Sequence, residues 1–474
     1  MDASNARAQL SALLDRQRQA DLAGSIPDAA ERRARIQTVI DLLVDRADDL
    51  VAAMDTDFGG RPEGYSLMND VLGSIAALKF ARDNVETWMQ PDPRPAFAPY
   101  DQLGATAEVL HQPKGSVGII GTWNAPVYTL LSPLAGVLAA GNRAVLKPSE
   151  VVPRTADVLA AAAADLLDPT VVAVVTGGPD VADVLTSLPF DHLVFTGSTA
   201  IGRLVMANAA RNLVPVTLEL GGKSPVIVSR SADLADAARR IAVGKATNGG
   251  QICISPDTLH VPTELVDTFV AQLREQYAAL LPSATSADAV AVVNDRHAAR
   301  IQAYVDDAVA RGARVELAPA EALPENGRRL PLQIVVDPPA DALIRSEEIF
   351  GPAVVVLGYD ELGDVLAGIN AGPTPLALYY FGADAAEEAH VLASTRSGGV
   401  TINEVMMHPG LPDAPFGGLG ASGLGHYNGR EGFLEFSHAR AVFRSAGPDL
   451  RSDWGMVPPY GEGFRAMMAA QVTR

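Results

Sequence analysis

The first hundred residues carry apolar positions at helical spacing. Ile36, Val39, Ile40, Leu43, Ala47, Leu50 and Met54 recur one, three or four residues apart and form one stripe. Leu67, Val71, Ile75 and Leu78 repeat the pattern and predict the next helix. The tract Pro91-Asp92-Pro93-Arg94-Pro95 stops helical structure. From there the period changes. Short β-branched runs at 117–120, 144–146, 171–175, 192–195 and 216–220 are free of charge except for Glu219, and helical patterns separate most of them. Alternation of this kind predicts a parallel sheet covered on both faces.

A second alternating region follows residue 253. Strands are predicted near 258–261, 333–336, 353–357 and 377–381, with helices near 264–281, 295–311 and 385–394. The boundary between the two lobes falls near Gly221-Gly222. A cleft between two α/β lobes is a usual place for a cofactor and a substrate to meet. No internal repeat or low-complexity tract is present.

Composition narrows this picture. The chain has 474 residues, too many for one core, and 48% are apolar, as in a globular protein. The formal charge of −19, with no basic stripe, argues against nucleic-acid binding. Any anionic cofactor must then be held by backbone dipoles and a few lysines. The single cysteine excludes an internal disulfide and a multi-thiolate metal site, and it fits a reducing cytoplasm. No metal is expected. The N-terminus lacks the apolar core of a secretory signal. Residues 115–142 carry no formal charge, but Gly118, Gly121, Asn124, Pro126 and Pro133 interrupt them, so a strand, a loop and a buried helix are expected there instead of a membrane span. The tail beyond Tyr460 is also too polar to span.

The candidate chemistry starts at Cys253, in Asn248-Gly249-Gly250-Gln251-Ile252-Cys253-Ile254-Ser255-Pro256. The two glycines permit a tight turn that presents the thiol. Taken alone, a lone free cysteine reads as a small buried hydrophobe. Glu219 ends an apolar strand, where burial would raise its pKa and make it a usable base; the competing reading is a salt bridge to a neighbour such as Lys223. Gly197 to Gly202 follows a strand and opens a helix over 199–210, whose amino end can hold pyrophosphate oxygens. Its spacing is not the usual dinucleotide fingerprint. A formal G-x-G-x-x-G does occur at Gly418, Gly420 and Gly423, but no strand precedes it, and it reads as a flexible loop.

Taken together, Glu219-Leu220-Gly221-Gly222-Lys223 and Gly250-Gln251-Ile252-Cys253 closely resemble the aldehyde dehydrogenase superfamily. The likeness extends through Gly121-Thr122-Trp123-Asn124-Ala125-Pro126, Leu146-Lys147-Pro148-Ser149-Glu150, Phe195-Thr196-Gly197-Ser198, Glu347-Glu348-Ile349-Phe350-Gly351-Pro352 and Pro415-Phe416-Gly417-Gly418. Within the superfamily, Thr401-Ile402-Asn403-Glu404-Val405, the stretch His426 to Phe433 and Pro458-Pro459-Tyr460-Gly461 look most like the coniferyl-aldehyde and fatty-aldehyde branch. The resemblance implies an α/β fold of two Rossmann-like, doubly wound parallel-sheet lobes with a small β bridging element. It assigns 1–94 and 114–220 to dinucleotide binding, 221–425 to the catalytic domain, and 95–113 with 438–450 to bridging and oligomerisation.

The resemblance also assigns roles. Cys253 attacks the aldehyde carbon. The Asn124 amide and the Cys253 backbone N–H stabilise the oxyanion. Hydride transfer to nicotinamide leaves a thioester, and Glu219 activates the water that hydrolyses it. Thr122, Trp123, Lys147, Glu150, Gly197, Ser198, Gly202, Leu220, Gly221, Glu348 and Phe350 are the expected cofactor residues. Glu150 accepting both ribose hydroxyls favours NAD, with NADP possible. Ala125, Tyr128, Ile252, Ile254, Met406 and Met407 are the expected substrate tunnel, where Ala125 replaces the family's usual aromatic and Ile252 its common threonine. The implied substrate is a bulky aromatic or apolar aldehyde such as coniferyl aldehyde. The alternatives are a medium- or long-chain aliphatic aldehyde, or a non-catalytic nucleotide binder on the same fold. Strands at 106–110 and 439–444 resemble elements that extend sheets across subunits, so a homodimer is expected.

Overall fold

This computed structural model describes residues 3–324 and 327–473. The chain divides into two compact units, residues 1–88 with 113–437 and residues 89–112 with 438–474.

The larger unit opens with helices, and here the structure revises the periodicity. The apolar stripe of residues 36–54 belongs to two helices, Ala29–Asp45 and Ala47–Phe58, that meet at Arg46. The first packs on helix Gly73–Trp88 and the second on helix Pro153–Leu166, so the stripe turns to face two partners. The helix expected through Leu67 is likewise divided. Leu67–Leu72 is a π-helical turn between Glu63–Ser66 and Gly73–Trp88. An extra residue in one turn shifts the faces that follow, and such turns recur at functional sites.

The first sheet has six strands in the order β15-β7-β6-β3-β4-β5. They are β3 (Ser116–Ile120), β4 (Arg143–Lys147), β5 (Val172–Val174), β6 (His192–Thr196), β7 (Val216–Glu219) and β15 (Gly423–Leu424). β3 to β7 are parallel, and β3, β4 and β6 are buried at every position. Chain order runs outward from β3 to β4 and β5, then returns beside β3 with β6 and β7. The order therefore reverses between β3 and β6, and the crevice outside the carboxyl ends at such a reversal is the usual ligand site.

The second sheet has seven strands in the order β10-β11-β12-β9-β8-β13-β14. They are β8 (Pro225–Val228), β9 (Thr258–Pro262), β10 (Arg314–Ala318), β11 (Leu332–Val336), β12 (Ala353–Tyr359), β13 (Ala377–Phe381) and β14 (Gly399–Ile402). All pairs are parallel except β10 with β11. The chain passes from the first sheet to the second between Glu219 and Pro225.

Each sheet thus ends on an antiparallel edge strand that the hydrophobic pattern does not reveal. β10 carries Arg314 and Glu316 on a partly exposed edge. β15 lies within the glycine-rich stretch around Gly418, Gly420 and Gly423. That stretch is bound to the sheet, contrary to the flexible loop expected. Gly423 pairs with Glu219, the Leu220 N–H donates to the Ser422 carbonyl, and Phe416 bridges Tyr427.

The smaller unit has one three-stranded sheet, β1 (Asp92–Arg94), β2 (Thr106–Pro113) and β16 (Ser437–Arg444), in the order β1-β2-β16. Phe97, Tyr100 and Phe443 cluster with ring centroids 5.3–6.1 Å apart, and Arg444 pairs with Glu108 at 2.7 Å. Helices Leu450–Asp453 and Glu462–Gln471 complete it. Among the described residues, no helix is long and apolar enough to cross a membrane.

Candidate active site

One continuous cavity of about 1180 Å³ runs through the larger unit. The segments that follow β3, β4, β6 and β7 supply one side. They place Thr122 to Ala125, Glu150, Gly197 with Ser198, and Leu220 with Gly221 on its wall. The loops that enter β9 and β12 supply the other, with Ile252 to Ile254 and Glu348 with Phe350. A cleft at the sheet reversal therefore brings the cysteine, the acid and the asparagine to a common space.

The cysteine loop is built on unusual backbone. Asn248, Gly249 and Gly250 are all left-handed, with φ of 49°, 59° and 73°. A side chain at residue 250 would collide with the Gly351 carbonyl and the buried Lys245 ammonium, so glycine is required there. Gln251 is buried and pins the loop. Its amide nitrogen donates to the carbonyls of Asn248 (2.9 Å) and Ala291 (3.1 Å), and its oxygen accepts from the Val293 N–H (3.0 Å). Behind the loop, the Tyr379 hydroxyl donates to the Ile254 carbonyl. Burial pushes the Cys253 thiol up to about 12, and the nearby Glu348 and Glu219 carboxylates act in the same direction.

Asn124 is oriented from both ends. Its oxygen accepts from the Thr122 hydroxyl at 2.5 Å, and its amide nitrogen donates to the Gln251 carbonyl at 3.0 Å. That leaves a second amide N–H for a ligand in the cavity.

Glu219 ends β7 and is 2% exposed. Among the described residues, neither of its carboxylate oxygens has a hydrogen-bond partner. The salt bridge considered from sequence does not form, because Lys223 pairs with Asp257 and donates to the carbonyls of Ile344 (2.8 Å) and Glu347 (3.0 Å). Burial without compensation raises the Glu219 pKa well above the usual carboxylate value. Glu348 is partly buried, and desolvation pushes it up to about 8, with Asp257 adding repulsion. Its carboxylate lies so close to Gly221 that any side chain there would strike it. Arg300 holds this loop through the carbonyls of Glu348 (3.0 Å) and Ile349 (2.8 Å).

At the other end charges are paired. The Lys147 ammonium is 1% exposed and donates to Glu150 (3.0 Å) and to the Pro148 carbonyl (3.1 Å), which leaves one of its three donors. Ser198 caps helix Thr199–Ala210 by accepting from the Ile201 N–H. Trp123 contacts Phe350 edge-on at 5.2 Å. A free ammonium donor, a nearby carboxylate and a twelve-residue helix that starts at the cleft are the chemistry a dinucleotide needs for its ribose and pyrophosphate. The volume also exceeds what one small ligand fills. These residues fit such a cofactor. Gly202 alone among the expected cofactor residues is off the wall, packed beneath Leu220.

All six expected tunnel residues line the cavity. Sequence reasoning missed the facing wall, made by Tyr65, Met68, Gly73, Ala76, Ala77 and Tyr427. The spacing of Gly73, Ala76 and Ala77 marks one small-residue helix face and was the available signal. Arg61, Asp70 and Tyr379 were also missed. Among the described residues, no group of three or more His, Cys, Asp or Glu side chains could hold a metal.

Comparison with known proteins identifies the family of the chain that carries this site. Residues 5–442 match the model of the aldehyde dehydrogenase family. The chain is 45% identical to a protein of Caulobacter vibrioides named "Probable coniferyl aldehyde dehydrogenase", over 99% of this chain and 98% of that one. It is 42% identical to the coniferyl aldehyde dehydrogenase of Pseudomonas sp. strain HR199, over 97% and 96% of the two chains. It also superposes on a Mycobacterium tuberculosis aldehyde dehydrogenase complexed with NAD+ with a TM-score of 0.83, at 29% identity over 94% and 91% of the two chains. A partly buried cysteine, an unpartnered acid and an oriented amide share one dinucleotide-sized cleft, and the chain that carries them belongs to the aldehyde dehydrogenase family.

Proposed function

We propose that this enzyme oxidises a bulky aromatic aldehyde of the cinnamyl type, such as coniferyl aldehyde, to its acid through a thioester on Cys253. The observation that carries the substrate class is Ala125. It stands beside Asn124 where the family's usual aromatic would be, and the cavity it borders also has the small residues Gly73, Ala76 and Ala77 on its wall. A ring can occupy that space and bury apolar surface worth roughly 25 cal/mol per Å². The coniferyl aldehyde dehydrogenase relatives support the same class.

In this reading Cys253 forms a tetrahedral adduct with the aldehyde carbon. The free Asn124 amide N–H and the Cys253 backbone N–H hold its oxyanion. As the adduct becomes a thioester its carbon gives up a hydride, which an oxidised nicotinamide dinucleotide in the cleft would accept, and the cationic ring of that cofactor would favour the thiolate. Lys147 and Glu150 would hold its adenosine ribose, Glu348 the other ribose, and Thr122, Trp123, Leu220, Gly221 and Phe350 would shape the nicotinamide end. Glu219, whose unpartnered buried carboxylate is a strengthened base once ionised, takes a proton from water, and the hydroxide so formed releases the acid from the thioester. Glu150 favours NAD, because a 2′-phosphate would bring further negative charge to that carboxylate.

Assays of hexanal, decanal, benzaldehyde and coniferyl aldehyde with NAD and with NADP test the reading. The highest kcat/KM is expected for coniferyl aldehyde with NAD. A preference for decanal would transfer the protein to the aliphatic class.

The same reading places the boundary between the dinucleotide-binding and catalytic domains at Gly221. It makes the protein a cytoplasmic homodimer, supported by the single reduced cysteine and by β16, an edge strand exposed along most of its length. A monomer mass by light scattering at micromolar concentration would overturn the dimer.

A further inference from the structure

The deepest ion pair of the larger unit lies outside the residues assigned to chemistry. Arg61 and Asp70 are both 0% exposed, with Nη2 to Oδ2 at 2.7 Å. A buried pair of this kind is a poor source of stability, since desolvation offsets most of its attraction. Its geometry shows what it does instead.

Asp70 sits on the π-helical turn Leu67–Leu72. Its Oδ1 accepts from the N–H groups of Val127 (3.0 Å) and Tyr128 (3.2 Å), the residues just beyond Asn124. Arg61 Nη2 donates to the Asn124 carbonyl at 3.2 Å as well as to Asp70. Arg61 Nε donates to the Asn248 side chain at 3.4 Å. Asn248 in turn donates to the carbonyls of Asn124 and Gln251, each at 3.1 Å. The Asn124 side chain closes the ring on that same Gln251 carbonyl. One guanidinium therefore ties the turn that carries the oxyanion amide to the loop that carries the thiol. The rings of Phe58 and Tyr65 hold that guanidinium in place, 5.0 and 4.8 Å from its carbon.

We propose that the Arg61–Asp70 pair is the positioning element of the oxyanion site, fixing the Asn124 turn against the Cys253 loop. This rests on the reading of Asn124 as oxyanion donor. Donors act on a developing charge only when prearranged, and displacement by about 1 Å is costly. A lysine at 61 keeps the charge but lacks the planar fork that reaches three acceptors together.

The test uses the full-length enzyme with NAD and coniferyl aldehyde. Arg61→Lys should slow the pre-steady-state burst of reduced cofactor at least about tenfold and lower kcat more than it raises KM. Alkylation of Cys253 by iodoacetamide, which needs no oxyanion donor, should change less than about twofold. Arg61→Lys added to Asn124→Ala should cost little more than Asn124→Ala alone, because both act on one interaction. Multiplying losses in that cycle, or an unchanged burst in Arg61→Lys, would overturn the proposal. If Asn124→Ala itself left the burst intact, the oxyanion reading would fall and take the clamp with it. Where Arg61→Lys does not fold, Arg61→Met combined with Asp70→Asn removes both charges, keeps an acceptor for the Val127 and Tyr128 amides, and decides by the same cycle.

Discussion

The two ends of the cavity bury ionisable groups to similar depth and treat them oppositely. Lys147 is fully buried, yet Glu150 stands 3.0 Å away and shares its charge. Glu219 is as deeply buried and has no protein partner among the described residues, while the carboxylates of Glu348 and Glu219 repel a charge on Cys253 and the backbone N–H groups of Cys253 and Ile254 offset them only in part. A counter-ion decides whether burial keeps a group charged or drives it neutral. The paired end can therefore hold a ligand by fixed charge. The unpaired end can exchange protons with one.

The sharpest break of this contrast is Cys253→Ser. It should reduce turnover by more than about 10⁴-fold while NAD affinity, set at the paired end, stays near wild type by fluorescence titration. Substantial turnover would remove the covalent route. Glu219→Gln should follow, with kcat down about 10²–10⁴-fold and a burst of reduced cofactor preserved. A lost burst would place Glu219 before the thioester, as activator of the thiol. In the wild type a base with a raised pKa gains its working form as pH rises, so a deacylation-limited kcat should climb from neutral into alkaline solution. Glu219→Gln should flatten that limb.

Two further substitutions should have smaller effects. Ala125→Tyr should narrow the preference for coniferyl aldehyde over acetaldehyde by about tenfold in kcat/KM, equivalent to ~1.4 kcal/mol, mainly through the larger substrate. An unchanged ratio would show that the space beside Asn124 is not used. Glu348→Gln should act on stability. A carboxyl raised from an ordinary 4.5 to about 8 binds its proton more tightly when folded, so its stabilising linkage is complete below pH 4.5 and is lost as pH rises through 8. The cofactor-free variant should therefore melt higher than wild type at pH 8.5, by on the order of a few degrees, and the gap should shrink by pH 5.5. A constant gap would place the Glu348 pKa nearer its ordinary value.

Much of this was legible in the chain because strand cores are locally encoded. β3, β4 and β6 are buried at every position, and their uninterrupted apolar runs mark them without tertiary information. The ends of those strands then located Asn124, Glu150 and Gly197. What stayed hidden was held by backbone or by distant partners. β15 is two residues of a glycine-rich loop and exists through its pairing with β7. The π-helical turn has the composition of any helix, and only an extra residue per turn brings Asp70 to amides 57 and 58 positions away. Arg61 follows two glycines and precedes a proline, a setting that reads as an ordinary surface turn. Its burial depends on Asn124 and Asn248, which no local window contains.

The height of the Cys253 pKa bears on how long the enzyme survives in aerobic solution. Peroxide attacks thiolate far faster than thiol, so a sulfur held near 12 spends almost no time in the vulnerable form until the cofactor arrives. The chain contains no second cysteine to rescue a sulfenic acid as an intramolecular disulfide. Protection before the damage replaces repair after it. Without aldehyde, cofactor-free enzyme should outlast NAD-loaded enzyme under dilute peroxide, and inactivation followed with and without NAD would measure that difference.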